Sequence, residues 1–386
     1  MLEDTNVVLG VTGSIAAVKT VELAHELRRR GATVRAVMTE SATNIVHPWA
    51  LELATDGDVV TEIGGSVEHV TFFGEDPWGD VLLIAPSTAN TVGKIASAID
   101  DTPVTTCATT ALGAGIPVVI APAMHEPMYD HPGVLEAIDR LESWGVAFAD
   151  PRIEESKAKI ASEEAIVVET ARAAGDRPLA GEEIVVTSGA TTESIDAIRT
   201  LSNRASGTTG RAIATACYVR GADVTLLHDG PDVPYATVEP VESAAEMVAT
   251  AEECAPGADA LVSAAAIGDY TVEQREGKIR SGQDDLTLDL QPTPKLLDRV
   301  RERAPDLPIV GFKLEADADD EALTSAAREL LSRVDLSLVV ANDATAAGSA
   351  ETRALLVRPE TAEEFRGSKA SLGARIAGEL TTILSG

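Results

Sequence analysis

The sequence predicts two α/β domains in tandem, each a parallel sheet covered by helices. Three observations carry this expectation. Short apolar runs alternate with helical patterns through the first half of the chain. The periodicity then breaks in the small and charged stretch AAGDRPLAGEE (173–183), and beyond it the same alternation restarts. Strands alternating with helices form parallel sheets buried on both faces. With 386 residues the chain is long enough for two full cores. The expected domains are 1–178 and 182–386.

In order along the chain, NVVLGV (Asn6–Val11) reads as a buried strand. A helix is expected from Ile15 to Arg30, with Val18, Val21, Leu23, Ala24 and Leu27 on its apolar face and Gly31 as its terminator. TVRAVM (33–38) is the next strand, followed by VLLIAP (81–86) and PVVIAP (117–122), with a helix from Val134 to Trp144. After the break, EIVVTSGAT gives a strand and a glycine turn, and GRAIATACYVRGADVTLL gives a helix, a stop at Gly221 and a strand. Further strands are expected at 260–266, 308–312 and 336–343. RRRGATVRAVM and YVRGADVTLL are alike because both are helix-to-strand joins.

Aromatics are only 3% of the chain against 45% apolar residues, so the cores must be built from Ala, Val, Leu and Ile. No apolar run approaches the roughly 20 residues of a membrane-spanning helix. The acidic N-terminus is unlike a signal peptide, so a cytoplasmic protein is expected. Cys107, Cys217 and Cys254 are scattered without CxxC spacing, which argues against a disulfide framework or a zinc site. No set of metal ligands is identified. The net charge is −31, and only 8 residues are lysine. Such a surface repels nucleic acid phosphates. Its acids are spread along the chain rather than blocked, which favours a salt-adapted surface over an acidic tail or a polycation partner.

Two polar turns stand at strand exits, where ligands bind in open α/β sheets. GVTGSIAAVK (10–19) places Gly13, Ser14, Ile15 and Ala16 in a turn that opens a helix, an arrangement whose backbone N–H groups suit a phosphate. It is not GxGxxG, and a purely structural turn is the competing account. APSTAN (85–90) supplies Ser87, Thr88 and Asn90. His69 in SVEHVTF and His125 in APAMHEPMYD complete the polar set of the first half. A lone histidine is more often structural than catalytic.

Taken together in this order and spacing, GSIAA, VMTESAT (37–43), His69, APSTAN and PAMHEPMY resemble the flavin-dependent phosphopantothenoylcysteine decarboxylases. The whole chain resembles the bifunctional phosphopantothenoylcysteine decarboxylases and phosphopantothenate–cysteine ligases of coenzyme A synthesis. The resemblance implies two Rossmann-like domains, a flavoprotein-type parallel sheet followed by a nucleotide-binding ligase domain. It implies flavin mononucleotide as the electron sink: oxidation of the cysteinyl side chain to a thioaldehyde lets CO₂ leave. His69 matches the family's active-site histidine, a base near the flavin. Gly13, Ser14, Ile15 and Ala16 would hold the flavin phosphate, with Thr39, Ser87, Thr88 and Asn90 around the ring and ribityl chain. His125 stands where the family pattern PxMNxxM has an Asn that holds the substrate carboxylate. An imidazole can donate one hydrogen bond when neutral and carry charge when protonated; a loop-capping histidine is the alternative. The family's flap cysteine has no counterpart in DPRIEESKAKIAS (150–162), where Lys157 and Lys159 are the substitutes considered.

The second half has no GxxxxGK[ST], so a P-loop is disfavoured. RTLSNRASGTTGRA (199–212) resembles the ligase segment SNxSSGxxG, which places Asn203 on the asparagine that stabilises the acyl-cytidylate. SAAAIGDY resembles the nucleotide-binding AAVADY, with Ser263, Ala264, Ala265 and Asp269; Lys278 matches the lysine on the triphosphate. QPTPKLL (Gln291, Pro292, Thr293, Pro294) and VGFKLE complete the pattern, with Phe312 against the base and Lys313 beside it. Lysines that bacterial-type members carry before CAND are missing here, and Arg328, Arg333 or Lys313 are the replacements considered. Implied reactants are 4′-phosphopantothenate, L-cysteine and CTP, with ATP second, and Mg²⁺ on the phosphates. The family also implies a homo-oligomer, trimer-based. Two alternatives stay open: a flavin-storing or regulatory protein, and a ligase with an inert flavin-binding first half. CO₂ release separates them.

Overall fold

In the computed structural model, residues 1–154, 157–280, 286–315, 319–343 and 352–385 are described. The chain divides into two compact units, Met1–Asp176 and Arg177–Gly386.

The first unit is a six-stranded sheet, all parallel. Its spatial order is Val59–Val60, Thr33–Met38, Asn6–Val11, Val81–Ser87, Val118–Pro122 and Ala147–Phe148. The two central strands are buried almost throughout, as a parallel sheet with both faces covered requires. Strand order reverses between Asn6–Val11 and Val81–Ser87, which opens a crevice at their carboxyl ends.

The helix expected over Ile15–Arg30 is two pieces. Ile15–Lys19 is a 3₁₀ turn and Thr20–Arg29 is the α-helix. Ser14 accepts from the Ala16 amide and sets the tight entry. The buried face is Ala17, Thr20, Leu23, Ala24 and Leu27, whose spacing changes from three to about 3.6 where the helix type changes. Val18, expected on the core face, is 58% exposed. The helix expected from Val134 starts at Pro132, because His131 caps it and proline is tolerated in the first turn.

The second unit is an eight-stranded sheet. Thr237–Pro240, Asp223–His228, Glu183–Thr187, Ala260–Ser263, Ile309–Glu315 and Leu338–Asp343 run parallel; Thr352–Val357 and Ala362–Gly367 add an antiparallel edge. The order reverses between Glu183–Thr187 and Ala260–Ser263. The strand expected to reach 266 stops at Ser263, because the Ala265 amide turns to Thr187 Oγ1 (3.1 Å) and Ala266 to the Gly189 carbonyl (2.8 Å). One core joins Val185, Leu227, Leu261, Ile309 and Val339 to helices covering one face. Thr208–Val219 and Lys369–Ser385 pack together and Thr208–Val219 lies on the strands Glu183–Thr187 and Asp223–His228.

Candidate active sites

The first crevice is laced together by its own turns. Thr12 donates both its amide (3.3 Å) and its Oγ1 (2.8 Å) to the Pro86 carbonyl. Ser14 Oγ donates to the Ala123 carbonyl (3.0 Å), and the Ala123 amide donates to the Ser87 carbonyl (2.9 Å). Three strand exits, near Ser14, Ser87 and Ala123, are therefore fixed relative to one another. Gly13 lies so close to the next exit that a Cβ there would meet Ser41 Oγ and stand 2.6 Å from Ser41 Cβ. Thr39 caps the Glu40–Thr43 helix through the Ala42 amide and is 3.0 Å from Ser41 Oγ. Ile15 is 79% exposed beside half-buried Ala16, and Thr88 caps the Ala89–Ala96 helix, on whose first turn Asn90 is exposed.

Among the described residues of this unit two side-chain polar atoms are buried without a protein partner, Ser87 Oγ and His69 Nδ1. A buried group left unsatisfied costs about 1–3 kcal/mol, which marks both as candidates for ligand contact. His69 sits on the Glu68–Phe73 helix, which packs on Pro103–Ala114. Its entry residue Val67 has φ 52°. A β-branched residue in the left-handed region is strained, and such strain collects at functional sites. The Gly64 amide donates to Glu68 Oε2 (2.9 Å), which with Glu68's own amide holds that carboxyl below its usual range.

His125 is exposed and precedes the short Glu126–Tyr129 helix without a side-chain capping bond. Its backbone pairs instead with Lys157, and Met124 with Ala158, so the hairpin Arg152–Glu154/Lys157–Lys159 is docked on this exit. The side chain of Lys157 lies outside the described residues, and Lys159 is half-buried. Cys107 is buried, which pushes its thiol up to about 12 and makes it inert. Sequence reasoning missed Asp150, which leaves the edge strand just after Ala149 bonds the Ile120 carbonyl (2.9 Å). Burial raises its carboxyl, and burial followed by the Asp150 charge raises the nearby Tyr129.

The second crevice is a cleft of about 470 Å³. Ser263, Ala265, Asp269, Thr293, Pro294, Phe312 and Lys313 line it, as do Lys295, Glu315, Glu329 and Arg333. Lys295 Nζ is 2.5 Å from Asp269 Oδ1, Lys313 Nζ is 2.9 Å from Glu315 Oε1, and Arg333 Nη1 is 2.5 Å from Asp298 Oδ1. Lys295 and the two glutamates were not singled out from sequence; Lys295 follows TP directly, and its helix-entry position disguised it as a solvated charge. Ala264 is half-buried; Gln291 and Pro292 are exposed on a short strand that pairs with Tyr270–Val272. None of these three belongs to the cleft lining. Asn203 Nδ2 donates to the Ala266 carbonyl (3.1 Å), which ties its loop to the glycine-turn region.

Lys278 is exposed in a loop outside the cleft lining. That loop is fixed by Asp196, which accepts from the amides of Ile198 (2.8 Å), Arg199 (2.8 Å) and Ile279 (3.0 Å) and pairs with the Arg199 guanidinium at 2.5 Å. Burial pushes the Asp196 carboxyl up, but these donors outweigh it and hold it far below the carboxylate range. Among the described residues no three His, Cys, Asp or Glu side chains converge as a metal site, and no helix is long and apolar enough to cross a membrane.

Comparison with known proteins covers the whole chain. The Flavoprotein family matches residues 1–175, and the DNA/pantothenate metabolism flavoprotein C-terminal domain matches residues 179–383. The chain is 48% identical over 386 residues to "Coenzyme A biosynthesis bifunctional protein CoaBC" of Thermococcus kodakarensis, covering 98% of this chain and 95% of the relative. It is 35% identical to the like-named protein of Methanocaldococcus jannaschii, over 100% of this chain and 95% of that one. With the Bacillus subtilis protein identity is 34%, over 90% and 88%.

Proposed function

This chain belongs to the CoaBC family of coenzyme A biosynthesis bifunctional proteins, and we propose how its two units divide the work. It is a bifunctional decarboxylase and ligase. The first unit decarboxylates phosphopantothenoylcysteine with flavin mononucleotide; the second makes that compound from 4′-phosphopantothenate, L-cysteine and CTP. The observation that carries the flavin assignment is the pair of buried, unpartnered atoms Ser87 Oγ and His69 Nδ1 in the unit that matches the Flavoprotein family.

The residues present fit the flavin. The Gly13 turn packs directly on Ser41 of the helix that Thr39 caps, which fixes the backbone of this exit, and Thr88 caps the helix that leaves the Val81–Ser87 exit. Bound there, the flavin supplies the two-electron oxidation that makes the carboxylate lose CO₂. His69 takes the proton released at that oxidation on Nδ1. His125, exposed on the Met124–His125 strand that pairs with Lys157–Lys159, is assigned to the substrate carboxylate by its place in the family pattern.

In the second unit Phe312 packs on the base, while Lys313 and Lys295 receive the phosphates. The phosphopantothenate carboxylate attacks the α-phosphorus, pyrophosphate leaves, and Asn203 steadies the acyl oxygens. The cysteine amine then takes the acyl group and CMP departs. Mg²⁺ would arrive on the nucleotide phosphates, where Asp269, Glu315 and Glu329 of the cleft wall would be the carboxylates available to it, since such ions keep one or two protein carboxylates plus substrate oxygens. Lys278, carried on the loop that Asp196 clamps, is assigned to the triphosphate by its match to the family lysine. The enzyme works in the cytoplasm as a trimer-based homo-oligomer; exposed Ile15, Trp49 and Leu53 (79%, 73% and 80%) on the first unit support an interface there. Its acidic surface is adapted to salt.

A coupled assay tests the assignment: phosphopantothenate, cysteine, Mg²⁺ and either CTP or ATP in molar salt, with products identified by mass. Phosphopantetheine, CO₂ and CMP are expected from a yellow protein. Phosphopantothenoylcysteine without CO₂ would leave a ligase with an inert first unit, and no nucleotide-dependent amide would overturn the ligase half.

A further inference from the structure

Among the described residues of the ligase unit three side-chain polar atoms are buried without a partner, on His228, Asn342 and Arg375, and His228 lies outside the nucleotide cleft lining. His228 ends the Asp223–His228 strand, is 3% exposed, and has no partner on Nε2. The Pro231 backbone lies close to the ring and favours its charged form, while Nε2 is left buried without a partner.

Register fixes where the imidazole points. Thr187 pairs with Leu227 in parallel, and the Ser188 amide donates to the Leu227 carbonyl (3.0 Å), so Ser188 and His228 are the next pair and share a face. Leu227 itself joins the core on the opposite face. Ser188 points at the amino end of Thr208–Val219: a Cβ on Gly210 would stand 2.5 Å from Ser188 Oγ, and that hydroxyl donates to the Gly207 carbonyl (2.9 Å). His228 therefore points the same way. Arg211, on the first turn of that helix, lies near enough to act on the His228 charge, while its Nη2 donates to the Ser206 carbonyl (2.9 Å). The helix has twelve residues and no side-chain cap, so its first amides are open. A guanidinium, open helix amides and a bare buried imidazole thus converge at the carboxyl end of two strands.

We propose that His228 is a positioning residue for a phosphoryl group held at the amino end of Thr208–Val219, and that it takes up a proton as that group arrives. This rests on the ligase assignment of the second unit. The facing charged groups are Arg211, which opposes protonation, and Asp229 and Asp232, which favour it. In the free protein, burial followed by Arg211 lowers the imidazole below its ordinary value, so it is neutral near pH 7.5. A dianionic phosphoryl group offsets Arg211 and gives protonated Nε2–H an acceptor, which raises it again.

Calorimetry on the full chain at pH 7.5, in buffers of different ionisation heat, counts the protons. The arms are 4′-phosphopantothenate against pantothenate, and CTP against cytidine. One phosphorylated ligand is expected to bind with uptake of at least ~0.3 proton, and its affinity to fall as pH rises, by up to about tenfold per unit. His228→Gln is expected to bind about three- to tenfold more weakly, with the uptake gone and the pH dependence flattened; His228→Asn serves if Gln fails to fold. Uptake only with phosphopantothenate places the monoester there, and uptake only with CTP places the triphosphate tail. Binding of both phosphorylated ligands by the wild type with no proton uptake overturns the proposal, whether or not a variant folds. The ligase assignment fails separately, if no nucleotide-dependent amide forms.

Discussion

Gly13→Ala tests the flavin cradle most directly. The added Cβ would stand 2.6 Å from Ser41 Cβ and would also meet Ser41 Oγ. Rotating Ser41 removes the Oγ contact but cannot move its Cβ, which is fixed by the Glu40–Thr43 backbone. Carbon atoms rest about 3.5–4.0 Å apart, so the turn or the helix must shift by about 1 Å. Overpacking of this kind costs about 1–3 kcal/mol, which is about 2–4 °C of melting temperature per kcal/mol for a unit of this size. Because the shifted atoms are the cradle, flavin affinity is expected to fall about ten- to a hundredfold, read by quenching of flavin fluorescence. Gly13→Ala with Ser41→Gly removes the opposing Cβ and restores most of both quantities, less about 0.5–1 kcal/mol for glycine in a helix. Gly13→Ala with Ser41→Ala keeps that Cβ and restores neither. Unchanged binding in the single variant, or equal behaviour of the two double variants, would refute the steric account.

Three other outcomes follow from the same geometry. His69→Asn retains the flavin absorbance and loses CO₂ release by at least about a hundredfold, within the usual range for a positioned acid or base; a turnover drop of less than about threefold contradicts its role. Asp196→Asn lowers the melting temperature of the second unit at pH 7 and weakens ligation. The folded carboxyl lies below its unfolded value, so its stabilisation is complete above about pH 4 and fades as pH falls through the folded value; melting curves of wild type and variant should converge in acid, and a gap that widens there would be the wrong sign. Phe312→Ala raises the KM for the nucleotide about ten- to a hundredfold with flavin content untouched, given about 1–3 kcal/mol for a base on an aromatic ring; an unchanged KM would move the base elsewhere.

Sheets and strand exits were legible because their signals are local. Five-residue runs such as VVIAP are buried on both faces, and nothing but a central parallel strand accommodates that. Ser14 and Ser87 stand at strand exits because those ends follow directly from the runs, whereas the strand expected to reach 266 ends already at Ser263. What stayed hidden depends on contacts across long stretches of chain. The docking of the Lys157–Lys159 strand on Met124–His125 is a pairing over more than thirty residues, with too few apolar positions to announce a strand. Asp196 gave no signal in the sequence, since its three amide donors come from a turn and from Ile279. The 3₁₀ start of the first helix was masked because Val18 is apolar yet exposed, and periodicity counted it as core.

The distribution of cations follows from the surface they interrupt. On the proposed assignment a nucleotide triphosphate approaches a protein of net charge −31, so long-range electrostatics work against its binding. At about 1 M salt the Debye length is only ~3 Å, which removes that repulsion but also removes long-range steering. Capture then depends on groups in direct contact, and the cleft has Lys295, Lys313 and Arg333 on its walls, each already paired with a carboxylate in the ligand-free chain. The incoming phosphates exchange one anionic partner for another, so each cation gains less than an unpaired one would, and specificity shifts toward Phe312 and the shape of the cleft. Raising salt weakens the existing exposed pairs as much as the new ones. The nucleotide KM should therefore vary less between about 0.5 and 2 M salt than counterion displacement by three cation–phosphate contacts would require, and a steep rise over that range would mean that those cations are free when the nucleotide arrives.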